Sequence, residues 1–235
     1  MYLVPALLSE EAKETIPAYI LSAIKDCQVF FVENERSARR FLKSIWKEIV
    51  IDQYSWISID KAEEKVRGEF KKYLKEGKNI GIISEAGCPG IADPGQVLVA
   101  VAHETGAHVK PLVGPSSIVM ALMASGMNGQ QFQFVGYLPI DAQQRMQTIK
   151  ELESESAKKK CTQIFIETPY RNNQLLETLI KTCKASTGLC IAADITSGKE
   201  YILTKTITEW KDHLPDLHKR PTIFCLLANY LSARE

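Results

Sequence analysis

Closely spaced metal ligands are missing from this 235-residue chain. Its six cysteines (Cys27, Cys88, Cys161, Cys183, Cys190 and Cys225) include no CxxC pair, and none of its four histidines stands at ligand spacing from a cysteine. That argues against any metal site and against a disulfide framework, and the thiols read as free groups in a reducing, cytoplasmic setting. No apolar run approaches the ~18 residues of a membrane span, so no membrane association is expected. The opening "MYLVPALLSEEAKE" has no basic start and soon turns acidic, which does not read as a signal peptide. A strong charge of one sign is also lacking: 29 Lys and Arg against 28 Asp and Glu give a net charge of +1. A protein clamping a long nucleic-acid duplex carries a larger basic excess. The short runs Lys71–Lys72 and Lys158–Lys160 leave a small RNA site open, but read otherwise as solvated helix ends. Internal repeats and low-complexity tracts are absent.

What is present is the composition of a globular chain, 45% hydrophobic and 24% charged, long enough for one large domain or two modest ones. Short apolar runs alternate with helical patterns. "YLV" and "VFFVE" read as strands around an amphipathic stretch from Lys13 to Asp26; "RSARRFLKSIW" reads as a helix, followed by the apolar "EIVI". "KAEEKVRGEFKKYLKEGK" places Val66, Phe70 and Leu74 at helical spacing and ends at Gly77 in the position after the C-cap. "NIGIIS" is a strand, "GQVLVAVAHETGA" a buried helix stopped by Gly106, and "HVKPLV" a strand. This alternation predicts an α/β fold with a parallel sheet layered by helices. After "VGPSS" a second series has more strands per helix, which predicts a mixed sheet. The turn at Val113–Pro115 divides the chain into an N-terminal α/β domain, 1–113, and a C-terminal one, 114–235.

Three turns carry the candidate chemistry, each at the carboxyl end of an expected strand, where open α/β sheets bind ligands. In "ISEAGCPGIADPG" (83–95), Gly87 and Gly90 allow positive φ or close approach of a ligand to bare backbone, and Pro89 stiffens the loop. Asp93 and Pro94 read as the N-cap and first residue of the next helix, and Glu85 as a carboxylate facing donors or a cation. The loop is neither GxGxxG nor a Walker loop, so no phosphate cradle follows. In "VGPSSIVMALMASG", Ser116 or Ser117 caps a helix or holds polar ligand atoms. In "IFIETPYRNN", Thr168 and Pro169 read as a helix start bracketed by Glu167 and Arg171, which either lock the turn as an ion pair or face a substrate through Arg171 or Tyr170.

Taken in order, "SEAGCPGIADPG", "GPSS", "FVGYLP" and "ETPYR" resemble the tetrapyrrole (corrin/porphyrin) methylase superfamily. The chain looks most like its branch of ribosomal small-subunit RNA cytidine 2′-O-methyltransferases, over roughly residues 80 to 230. The resemblance implies two α/β domains with S-adenosylmethionine bound in a cleft between them, and a homodimer. It places cofactor contacts at Ser84, Glu85, Gly87 and Cys88, at Ser116, Ser117 and Ile118, and at Ala193, Pro221 and Thr222.

The chain departs from that branch on its N-terminal side. Where the branch carries Thr-Pro-Ile-Gly-Asn after the first strand, "VPALLSEEA" has no glycine. "VENER" keeps Glu33 and Arg36 of a Glu-Asp-Thr-Arg turn, "DITS" (194–197) stands for Glu-Leu-Thr-Lys, and "SEAGCP" for "SDAGTP" keeps the acid. The cofactor motifs survive better than those on the side where a substrate would be recognised. Three readings stay open: methylation of a ribose 2′-hydroxyl of ribosomal RNA, methylation of a small tetrapyrrole-type molecule, and a non-catalytic cofactor-binding paralogue. A ribose hydroxyl needs a proton acceptor, for which Glu167 and Glu33 are candidates, with Arg171 close to the first.

Overall fold

The computed structural model describes residues 1–59, 63–93 and 95–230. It has the α/β class expected from sequence, and the chain divides into two compact units, Met1–Ser116 and Ser117–Glu235. The first unit holds strands β1 (Tyr2–Val4), β2 (Val29–Val32), β3 (Ser55–Ser58), β4 (Ile80–Ile83) and β5 (Lys110–Pro111) in the order β3-β2-β4-β1-β5. All four pairings are parallel.

A parallel sheet is covered on both faces, so its central strands are apolar throughout rather than alternating. Every residue of β2 and β4 is buried. Phe30, Val32 and Ile83 point into one core with α1 (Ile20–Lys25) and α2 (Glu35–Ile45). Val29, Phe31, Ile80 and Ile82 point into the opposite core with α3 (Glu63–Lys75) and α4 (Gln96–Glu104). Phe30 lies beside Gly81 in the register and stacks on Trp56, with ring centroids 5.0 Å apart. A Cβ at position 81 would sit 2.6 Å from the Phe30 ring, so only glycine leaves room for it. Gly77 and Gly106, both at φ +71°, close α3 and α4 where sequence placed their stops.

Two stretches that sequence left undefined take shape, and two helix starts are corrected. The amphipathic stretch from Lys13 to Asp26 holds a 3-10 turn at Lys13–Thr15 and then α1, with Pro17 between them. "EIVI" forms no strand; the third strand is the half-exposed "SWIS", whose polar flanks hid it. Asp93 is not the cap of α4, because Gly95 at φ +126° occupies that position with no side-chain hydrogen bond. Pro94 lies outside the described residues. Finally, Thr168 and Pro169 do not open a helix: the Arg171 amide donates to the Thr168 carbonyl at 2.9 Å, closing a turn, and the helix begins at Asn172.

The second unit holds β6 (Phe132–Tyr137), β7 (Thr162–Ile166), β8 (Gly188–Ala193), β9 (Tyr201–Thr206) and β10 (Thr222–Leu227), ordered β6-β7-β10-β8-β9. β6 and β7 are parallel and the other pairings antiparallel, which makes the sheet mixed. One face packs Phe165, Phe224, Leu226 and Ile191 against α6 (Ala142–Lys159), α7 (Asn172–Thr182) and the short α8 (Ile207–Trp210). The other is covered by α5 (Ser117–Ser125), which contacts β8, β9 and β10.

Candidate functional site

Four strand exits are laced together at the carboxyl edge of the first sheet. The Ala6 amide donates to the Gly87 carbonyl at 2.8 Å and the Gly87 amide returns a bond to Ala6 at 3.2 Å, joining the β1 and β4 exits. The β5 exit presses on the β1 exit so closely that a Cβ at Gly114 would lie 2.2 Å from Pro5 Cβ. The Cys88 thiol donates to the Pro115 carbonyl at 3.5 Å, tying the β4 loop to the chain just before Ser116. Ser84, Glu85, Gly87, Cys88 and Ser116 thus belong to one knot of loops. The glycines are there for geometry: Gly87 and Gly90 have φ of +71° and +80°. Ala92, at φ +63°, holds a left-handed conformation without that freedom, and it directly precedes Asp93.

The knot is acidic. Glu33, at the end of β2, accepts from the Glu85 amide at 3.1 Å. Ser37, in the first turn of α2, donates to Glu85 Oε1 at 3.0 Å. The N-terminus of α2 is itself secured by Asn34, whose side chain accepts from the Arg36 and Ser37 amides. Burial, then the charges of Glu33 and Glu85, push the Asp93 carboxyl up to about 6. The buried Ser84 hydroxyl is near enough to oppose part of that rise, yet it has no partner in hydrogen-bonding geometry. Burial also raises the Cys88 thiol, which keeps it protonated and a weak nucleophile. Three carboxylates, a hydroxyl without a hydrogen-bond partner and bare backbone are thus gathered in one place. Among the described residues no group of three or more His, Cys, Asp and Glu is arranged to hold a metal ion.

In the second unit the remaining candidates gather at one edge of the sheet. Ala193 ends β8 and pairs with Thr222, which opens β10, and the Asp194 amide donates to the Pro221 carbonyl at 2.9 Å. Glu167 follows β7 at the same edge, since Ile166 pairs with Ile223. Gly126, after α5, lies beside Tyr230 beyond the far end of β10, so Ser117 and Ile118 start the helix toward the Ala193–Thr222 edge. Glu167 is fixed there rather than free: its Oε1 accepts from the Thr168 amide at 2.6 Å and from Arg171 at 2.6 and 3.1 Å. Its side chain is only 1% exposed, and the ion pair locks the turn. Tyr170 stands 69% exposed, edge-on to His218. Sequence reasoning missed Ser37 and the perturbed Asp93. Nothing in a helical serine marks it as a carboxylate's partner, and the capping reading of Asp93 concealed its crowding by two other acids.

Such loops beyond the carboxyl ends of a parallel sheet, followed by a second α/β unit with a mixed sheet, define a two-part ligand-binding α/β protein. The chain belongs to the tetrapyrrole (corrin/porphyrin) methylases, whose family model matches residues 11–211. It is 36% identical over 136 residues to a ribosomal RNA small subunit methyltransferase I from Halalkalibacterium halodurans, covering 58% of this chain and 45% of that protein. It is 28% identical over 234 residues to the Buchnera aphidicola protein of the same name, covering 98% and 78%. The chain thus spans about half the length of the first of these relatives. A crystal structure of a uroporphyrin-III C-methyltransferase from Thermus thermophilus, complexed with S-adenosyl homocysteine, shares the fold at TM-score 0.53 and 15% identity, over 98% of each chain. No helix among the described residues is long and apolar enough to cross a membrane.

Proposed function

We propose that this chain is an S-adenosylmethionine-dependent methyltransferase acting on a ribose 2′-hydroxyl of small-subunit ribosomal RNA. The names of its relatives support methylation of small-subunit ribosomal RNA. The observation that carries the cofactor is the acidic knot itself: Glu33, Glu85 and Asp93 repel one another until a cation sits among them. When bound, the donor supplies an electrophilic methyl group on a positively charged sulfur.

The chain's own residues do the rest. Glu85, with Ser37 and Glu33 behind it, holds positive charge, and the unpartnered Ser84 hydroxyl gains a hydrogen bond. Gly87 and Cys88 present backbone to the ligand. Ser116, Ser117 and Ile118 hold its amino-acid part, and Ala193, Pro221 and Thr222 its adenosine. Alignment of donor and acceptor is the main source of rate, worth effective molarities of about 10⁵ M or more. The acceptor hydroxyl's proton goes to a carboxylate. Glu33 and Glu167 are the candidates; Glu167 Oε1 is committed to Arg171, and its buried Oε2 has no partner. The protein works in the cytoplasm as a homodimer, with exposed apolar side chains such as Met123, Tyr137 and Ile140 available for the partner copy to cover.

Calorimetry with S-adenosylmethionine tests the cofactor assignment. Binding in the micromolar range corresponds to about −8 kcal/mol. Glu85→Ala should weaken it at least tenfold with the fold intact; unchanged affinity would sink the assignment.

A further inference from the structure

Beside the acidic knot, the first unit has a separate pocket of about 320 Å³ between the β1 exit and the flank of α2. Leu7, Leu8 and Phe41 give it an apolar floor, Lys13 and Arg40 are its cationic donors, and Glu10 and Glu85 are the acids in its lining. Ser37 and Glu85 border both sites, so whatever fills the pocket lies against the proposed donor site. Glu33, Glu85 and Asp93 crowd the donor side of that border, whereas on the pocket side Lys13 and Arg40 stand against Glu10.

Those cations come largely from one helix. α2 carries Arg36, Arg39, Arg40 and Lys43 against a single acid, Glu35, in a chain whose total charge is only +1. Arg39 pairs with Glu35 and lies over Trp56, and Lys43 donates to the Lys47 carbonyl; both have structural work. Arg40 lines the pocket, and Arg36 lies one turn before it on α2, outside the lining. The ion-pair partner of Arg40 is Glu10 at 3.0 Å, with side chains 59% and 80% exposed. An ion pair that open to water is worth about 0–1 kcal/mol, so a stronger anion displaces it readily.

We propose that this pocket receives the acceptor nucleoside of a single-stranded RNA segment, with Lys13 and Arg40 holding its flanking phosphodiesters and Arg36 continuing the track. Arg40 exchanges Glu10 for phosphate oxygens, which its planar fork matches bidentately. A pocket of this size admits one splayed nucleoside on its leucine and phenylalanine floor and excludes a duplex, in keeping with recognition of unpaired RNA. Arg40, Lys13 and Arg36 are thus positioning residues for substrate, distinct from the donor contacts. The inference rests on the RNA reading above.

The test uses the full chain, small ribosomal subunits from cells lacking the protein, and labelled donor. For Lys13→Gln with Arg40→Gln, KM for RNA should rise at least tenfold while kcat at saturation and donor affinity stay within about twofold. Each lost phosphate contact should also reduce the slope of log affinity against log salt by about 0.7. Arg40→Lys should restore part of the affinity, and Lys181→Gln, an exposed charge on α7, should change nothing. An unchanged KM and salt slope in a variant that still methylates RNA would overturn the pocket assignment alone. A loss confined to donor affinity would overturn it too, by making the pocket part of the cofactor site. A wild-type protein that binds donor yet labels no RNA would instead bring down the underlying reading.

Discussion

The substitution Asp93→Asn should stabilise the free protein at neutral pH, and the size of the gain follows from its surroundings. The Asp93 carboxyl is raised from 3.8 to about 6 by burial and by Glu33 and Glu85. Between those values the folded state binds more protons than the unfolded chain, so stability falls as pH rises through that window. At about 1.4 kcal/mol per pH unit the full loss would be about 3 kcal/mol; half-exposure and solvent screening reduce it to about 1 kcal/mol. An asparagine side chain mimics the protonated carboxyl. The variant should therefore match the wild type below about pH 4 and exceed it by about 1 kcal/mol above about pH 7, measured by urea denaturation across that range. The same substitution should weaken binding of the cationic donor, and should flatten the rise in affinity that the wild type shows as pH increases through about 6. Gain of stability with loss of binding is the signature of a site kept unfavourable for a ligand. A variant no more stable than wild type at neutral pH, with an unaltered pH dependence of binding, would refute the reasoning.

Arg171→Ala leaves the nearly fully buried Glu167 carboxylate with one amide donor, and should cost about 3 kcal/mol in denaturant unfolding. Gly81→Ala drives a methyl group into the Phe30 ring and should cost about 1–3 kcal/mol, read as a lowered Tm; no loss would mean that the β2–β4 core yields more easily than its packing implies. Glu153, buried on α6, accepts from the Lys184 amide at 2.8 Å and from Thr187 Oγ1 at 2.5 Å. Glu153→Ala should therefore destabilise by about 2 kcal/mol and Glu153→Gln by less, since one amide oxygen still accepts both bonds.

Much of the fold was legible because its central strands are unbroken apolar runs and its helices end at glycines. "VFFV" and "IGII" announce strands buried on both faces, and Gly77 and Gly106 mark true stops. The strand "SWIS" was not legible, because its serines are exposed and its aromatic residue works for a neighbouring core through Phe30. The helix start at Thr168 was misread because Thr-Pro opens turns as readily as helices, and side-chain contacts decide between them. At Thr168, the contact that decides is the Glu167 carboxylate taking its amide. The site's glycines and acids could be read from spacing, but their gathering by Ser37 across 48 positions of sequence could not.

Transfer of labelled methyl from S-adenosylmethionine to small ribosomal subunits lacking the modification is the most direct measurement. The label should appear in RNA at a ribose 2′-hydroxyl, and should be lost with Glu85→Ala. Unlabelled RNA beside a protein that binds the donor normally would contradict the central claim.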